Sequence, residues 1–185
     1  WLTITRQEGT GDLYYLLRQS QPISISNAKP RNQTFSISRT YQYLGDDCRP
    51  GNCSEDQVFQ MDSTELPIQV RLQITISEQV QHLFISDPLL PGASFSPPTD
   101  VEWLFTTRSI NPLQFGLSQD VFSSPFINKD SVEWYAASLE PGTYILTYYI
   151  MPGNPGIFKL PPAQAWQEQK PGLAAASAVS TIEIQ

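Results

Sequence analysis

The sequence predicts an all-β protein, an antiparallel two-sheet sandwich, and three observations carry that prediction. The first is strict alternation. Ile68, Val70, Leu72, Ile74 and Ile76 are apolar, while Gln69, Arg71, Gln73 and Thr75 between them are polar. Successive side chains of a strand point to opposite faces, so this pattern buries one face and wets the other. The second is punctuation by turn residues at Asn27 to Pro30, Pro88 to Gly92, Pro97-Pro98 and Pro141-Gly142. The third is composition: 16 prolines, and 16% charged residues against a usual share of about 25%. Long periodic stretches of helix-forming residues are missing.

Taken in order, Leu13-Tyr14-Tyr15-Leu16-Leu17 is a continuous apolar run and predicts a strand covered on both sides. Phe35, Ile37 and Arg39-Thr40-Tyr41 predict the next strand, and Leu66 to Ile76 the clearest one. Shorter strands are expected at Leu83 to Ile85, Val101 to Phe105, and Val132, Trp134 and Ala136. Pro141-Gly142 then launches Thr143 to Ile150, rich in β-branched and aromatic residues. A second turn at Pro152 to Gly156 precedes a short strand and Pro161-Pro162, which cannot continue a ladder. This stretch predicts two adjacent strands closed by an extended segment, with Trp166 outside any strand. Residues 108–130 carry no period and predict a long loop with a short helical turn. Pro171 to Ser180, with Ala174-Ala175-Ala176, predicts a linker into a last strand at Ile182 and Ile184.

A chain of 185 residues fits one large domain, or one domain with a fragment of its neighbour. That length buries roughly 70% of the unfolded surface without help from metals or many disulfides. The net charge of −7 and the scattering of single basic residues exclude a phosphate-binding patch, and with it a nucleic-acid partner. No apolar run approaches the roughly 18 residues of a membrane-spanning helix. Trp1 in place of an initiator Met predicts that the chain is a piece of something longer.

Residues able to carry chemistry are sparse. Cys48 and Cys53 flank Arg49-Pro50-Gly51-Asn52, a turn that brings them within bridging reach. A structural disulfide in an oxidising compartment is expected, contributing only about 2 kcal/mol because its loop is short. As a metal site the pair lacks two ligands, and His82 is the only histidine. A Ser/His/Asp or Cys/His arrangement would rest on His82 alone, which reads better as a strand-end residue. Asp46-Asp47 and Glu55-Asp56 lack calcium-loop spacing and read as solvated loop tips. No catalytic, metal or cofactor-binding residue is therefore assigned. Trp134, flanked by alternating residues, is expected in the core. Trp166, following Pro161-Pro162, either packs against its own sandwich, the reading slightly favoured, or stands exposed as a contact for a protein or sugar partner.

Several segments together resemble the C-terminal region of bacterial alpha-2-macroglobulins, large cell-envelope antiproteases built from strings of fibronectin-like macroglobulin domains. Gly11-Asp12-Leu13-Tyr14-Tyr15 resembles the strand preceding the final domain. Phe35-Ser36-Ile37-Ser38-Arg39-Thr40-Tyr41 resembles its opening strand, with the family's Arg and Tyr so spaced. Ile85-Ser86-Asp87-Pro88-Leu89-Leu90-Pro91-Gly92 resembles a family turn. Leu139-Glu140-Pro141-Gly142-Thr143-Tyr144, Pro155-Gly156-Ile157-Phe158 and Leu160-Pro161-Pro162-Ala163-Gln164-Ala165 resemble the closing hairpin.

The resemblance implies a macroglobulin-like sandwich over 31–185, with 1–30 as terminal strands of the preceding domain. It implies a non-catalytic domain packed on a thioester-bearing domain of the same chain, in a monomeric periplasmic or cell-envelope protein that traps proteases. The Cys-x-Glu-Gln thioester motif is absent from this chain. Contact with the neighbouring domain is implied at Pro161, Pro162, Trp166 and Gln169. Many relatives carry a Met-Tyr pair before an Asx-Pro, whose Tyr faces the thioester. Glu168-Gln169 stand there before Lys170-Pro171. Either Trp166 substitutes for that Tyr, or the parent belongs to the branch without a thioester, the reading we favour. The alternative function from another class is a free-standing cell-surface adhesion or carbohydrate-binding sandwich.

Overall fold

The computed structural model describes residues 28–43, 59–61, 67–96, 121–170 and 172–185, with scattered positions between 3 and 25. The named elements among the described residues are all strands, as the alternation predicts. Strand β1 (Phe35–Tyr43) pairs antiparallel with β3 (Ile68–Ile76), and β3 with β8 (Gly142–Met151). With β5 (Ser94–Ser96) on the far side of β8 they form a four-stranded sheet. A five-stranded sheet runs β11 (Ala174–Ala176), β10 (Gln164–Gln167), β4 (Val80–Pro88), β7 (Ser131–Leu139) and β6 (Phe126–Ile127). A third, small sheet adds to the expected two. It holds β2 (Phe59–Met61), β12 (Ser180–Ile184) and β9 (Gly156–Leu160), with β2 and β12 parallel.

Connectivity makes the sandwich interlock. The chain passes from β3 to β4, and from β7 to β8, by tight corners that change sheet. Consequently β3 pairs with β8 in one layer while β4 pairs with β7 in the other. Gln79 Nε2 donates to Glu140 Oε1 at 2.7 Å, tying the two corners together. Between the layers lie Ile37, Val70, Leu72, Ile74, Leu146 and Ile150 from one side, and Leu83, Ile85, Val132, Trp134 and Ala165 from the other. Leu160, Ile182 and Ile184 of the small sheet close the core at one end. Two turns meet backbone to backbone beside β8. A Cβ on Gly153 would collide with the Gly92 carbonyl, so only glycine fits there.

Several expectations need correction. Strands β8 and β9 are neighbours in sequence but do not form a hairpin: β9 pairs with β12. The Pro152 to Gly156 turn therefore moves the chain between sheets. Trp166 is not outside a strand, because β10 begins two residues after Pro162, where backbone N–H groups are again available. Ala174-Ala175-Ala176 is an edge strand on β10, not a linker. Tyr14, Tyr15 and Leu17 belong to no strand and are exposed, Tyr14 at 86%. Within 108–130, Phe126–Ile127 is a short strand and no helical turn is assigned among the described residues. The strand expected at Val101 to Phe105, and Trp103, lie outside the described residues.

Candidate functional site

Strand β4 connects the two notable side-chain groups of the molecule, one on each face. Leu83, Ile85 and Asp87 point inward, and His82, Phe84 and Ser86 outward, as period two requires.

On the inner face Asp87 is fully buried, and so is its partner. Arg39 on β1 reaches across the core, and its Nη1 donates to Asp87 Oδ1 at 2.5 Å. Tyr148 on β8 donates to Asp87 Oδ2 at 2.7 Å. Arg39 Nη2 donates to the Pro161 carbonyl at 2.8 Å, and Nε and Nη2 both point to Ser180 Oγ on β12, at 3.3 and 3.1 Å. Tyr41 hydrogen bonds to Ser180 too, and its ring lies 5.4 Å from the guanidinium carbon. Burial works against the Arg39 charge, but Asp87, Tyr41 and Tyr148 together outweigh it and hold Arg39 protonated beyond its ordinary range. Burial pushes the Asp87 carboxyl upward, against the pull of Arg39 and Tyr148. An unpaired charge here would be very costly, but this pair has most of its hydrogen-bonding capacity filled.

The sequence holds a signal for this pair. Asp87 immediately precedes the Pro88 to Gly92 turn, yet it shares a period-two face with Leu83 and Ile85. Arg39 likewise follows Phe35 and Ile37. Two opposite charges, each in register with a buried apolar face, point to each other across a sandwich.

The outer face of the five-stranded sheet carries an aromatic row. Trp166 on β10 stands directly opposite Phe84, and Phe84 opposite Tyr135 on β7. Trp166 and Phe84 stack at 5.9 Å between centroids and 15° between planes. Phe84 and Tyr135 meet at 5.0 Å. His82 extends the row, with Nδ1 2.7 Å from the Tyr135 hydroxyl. All four side chains are half-buried, so they cover one another while leaving ring area open. With strands about 4.8 Å apart, the row spans about 10 Å of the sheet. His82 sits inside β4 rather than at its end, and its φ of 53° is the only positive value at a non-glycine among the described residues.

The residues expected to contact a neighbour are placed unequally. Trp166 lies in this row, and Gln169 is exposed at the tip of the β10–β11 connection beside it. Pro162 is buried within the chain, and Pro161 is half-buried with its carbonyl held by Arg39. Trp134 is in the core as expected, 5.6 Å from the Tyr148 ring. Cys48 and Cys53, and the acidic residues around them, lie outside the described residues. Among the described residues no group of three or more His, Cys, Asp or Glu gathers as metal ligands.

The interlocked all-β architecture, with its buried ion pair and outward aromatic row, is a β-sandwich of the immunoglobulin type. The chain belongs to the bacterial alpha-2-macroglobulin family: the model of the "Bacterial Alpha-2-macroglobulin MG10 domain" matches residues 35–171. An alpha-2-macroglobulin homolog of Nostoc sp. is 26% identical over 180 residues, covering 90% of this chain and 8% of that protein. Escherichia coli alpha-2-macroglobulin activated by porcine elastase superposes with a TM-score of 0.65 at 16% identity, over 84% of this chain and 13% of that one. The native Escherichia coli protein, spanning domain MG7 to the C-terminus, gives 0.60 at 18% identity over 84% of this chain and 24% of that one. These superpositions show a shared fold. The chain spans under a tenth of the Nostoc relative and at most about a quarter of these Escherichia coli structures.

Proposed function

We propose that this chain is a non-catalytic packing domain of a bacterial alpha-2-macroglobulin-like antiprotease of the cell envelope. Its aromatic row docks on a neighbouring domain of the same parent chain. The observation that carries the reading is the row Trp166–Phe84–Tyr135, held half-open on the face of a sheet. The small share of its relatives that the chain spans supplies the partner, since the rest of such a protein lies outside it. A match within a structure running from domain MG7 to the C-terminus supports a place for 31–185 toward the C-terminus. Residues 1–30 would then belong to the preceding domain, where the exposed Tyr14, Tyr15 and Leu17 find cover.

Within this reading Trp166 and Gln169 make the contact directly. Pro162 acts from inside, and Pro161 through its carbonyl. Trapping of proteases is a property of the whole parent, to which this domain contributes by packing. Cys48 and Cys53 form a local disulfide, checked by counting free thiols on the unreduced native protein.

Hydroxyl-radical footprinting of the intact parent tests the docking. Trp166, Phe84 and Tyr135 are expected to oxidise several times more slowly than Phe126, which is 65% exposed on the edge strand β6. Oxidation of Trp166 as fast as Phe126 would sink the reading. A flat aromatic row also suits a sugar ring, so a glycan array belongs beside the footprint and is expected to stay silent.

A further inference from the structure

We propose that Arg39 is the positioning residue of the aromatic face: through the core it fixes the corner between β9 and β10, and so fixes where Trp166 stands. The inference rests on the docking role above for what the face does, but not for how it is held.

The corner at 161–163 carries the chain from the small sheet to the five-stranded one. Backbone groups in a buried crossing must find partners, and two prolines remove two donors from it. Pro162 and Ala163 are buried. The Ala163 amide donates to Ser177 Oγ at 3.0 Å, and its carbonyl accepts from Ser177 N at 2.9 Å. The Pro161 carbonyl takes its hydrogen bond from Arg39 Nη2. The same guanidinium holds Asp87 of β4 through Nη1.

A guanidinium is a rigid planar fork, so its two nitrogens set the spacing of whatever they hold. Here they hold β4 and the start of the corner. Three residues after Pro161, β10 begins to pair with β4, and Trp166 comes to lie over Phe84. Charge balance alone would accept a lysine opposite Asp87. Only an arginine can serve Asp87, the Pro161 carbonyl and Ser180 at once.

Hydrogen exchange on the intact parent carrying Arg39→Lys tests this. Lysine keeps the charge but loses the fork. Amides of 163–169 are expected to exchange about tenfold faster, the size of one lost charge-assisted hydrogen bond. Amides of β3 are expected to keep the wild-type rate, which a general loss of stability would not spare. Wild-type exchange across 163–169 in a folded Arg39→Lys protein overturns the proposal. If that variant does not fold, Ser180→Ala decides. It removes the hydroxyl that orients Nε and Nη2 and leaves the ion pair intact. Faster exchange confined to 163–169 supports the proposal, and no change there overturns it. The footprint of the wild-type row described above reports separately on docking. Oxidation of Trp166 as fast as Phe126 would remove the docking role and leave the exchange result standing by itself.

Discussion

The two faces of β4 invert the usual arrangement. Its inner side ends in a carboxylate, and its outer side presents a phenyl ring between a histidine and a serine. A half-buried strand ordinarily hides the ring and wets the charge. The inner exception is tolerable because β1, β8, β12 and the corner after β9 all converge on one charge pair. The outer exception is tolerable because Trp166, Phe84, Tyr135 and His82 cover each other. The difference separates two tasks. The inner group fixes the fold within the chain, whereas the outer group has contact area left for something else.

The largest way to break this comparison is to orphan the inner charge. Asp87→Ala leaves Arg39 buried without its carboxylate and is expected to cost about 3–5 kcal/mol in urea unfolding. Pairing Asp87→Leu with Arg39→Met should recover part of that, since it removes the desolvation cost of both charges but leaves the Pro161 carbonyl and the Tyr148 hydroxyl without these partners. A double variant as unstable as the sum of the singles would contradict the paired reading.

Alkaline titration reports on the inner face, and Tyr149 on β8, also raised by burial, adds its share to the same slope. Burial raises the Tyr148 and Tyr41 hydroxyls above their ordinary value of 10.0. A folded pKa above the unfolded one means the stability is fully present below pH 10. It is lost as pH rises from there toward the folded values, because the unfolded chain gives up its protons first. Each tyrosine should remove about 1.4 kcal/mol per pH unit in that window. Tyr148→Phe should flatten the slope by one tyrosine's share, and an unchanged slope would refute the assignment.

The outer face is expected to matter less to the fold. Trp166→Ala loses the stack on Phe84 and should cost the domain about 1 kcal/mol beyond its lost buried area. A loss as large as that of Asp87→Ala would mean the row holds the sandwich together, and would erase the contrast between the faces.

How far the sequence already contained this contrast depends on the kind of information involved. Strand identity was legible wherever alternation was clean, as in Ile68 to Ile76, because the period alone decides it. Partner choice was not. The run from Gly142 to Leu160 looks like a hairpin, and only the three-dimensional register sends β9 to β12. Trp166 was legible as a contact residue from its chemistry, but its partners Phe84 and Tyr135 lie some eighty and thirty residues away in sequence. Arg39 and Asp87 stood in plain view within two alternating runs. Their pairing needed the knowledge that β1 and β4 face each other across the core.

The smallest effect concerns His82, and its sign can be argued. A left-handed backbone costs an ordinary L-residue about 1–2 kcal/mol, and glycine almost nothing. His82→Ala keeps the strained φ of 53° and loses the hydrogen bond to Tyr135. His82→Gly loses the same bond but releases the strain, while adding unfolded-state entropy of about 0.5–1 kcal/mol. Elsewhere in a strand alanine is the more stable of the two. At this position glycine should match it or exceed it, by up to about 1 kcal/mol. Thermal unfolding of both variants decides the order. If alanine proved clearly more stable, His82 would not be strained, and the outer row would owe its shape to side-chain packing alone.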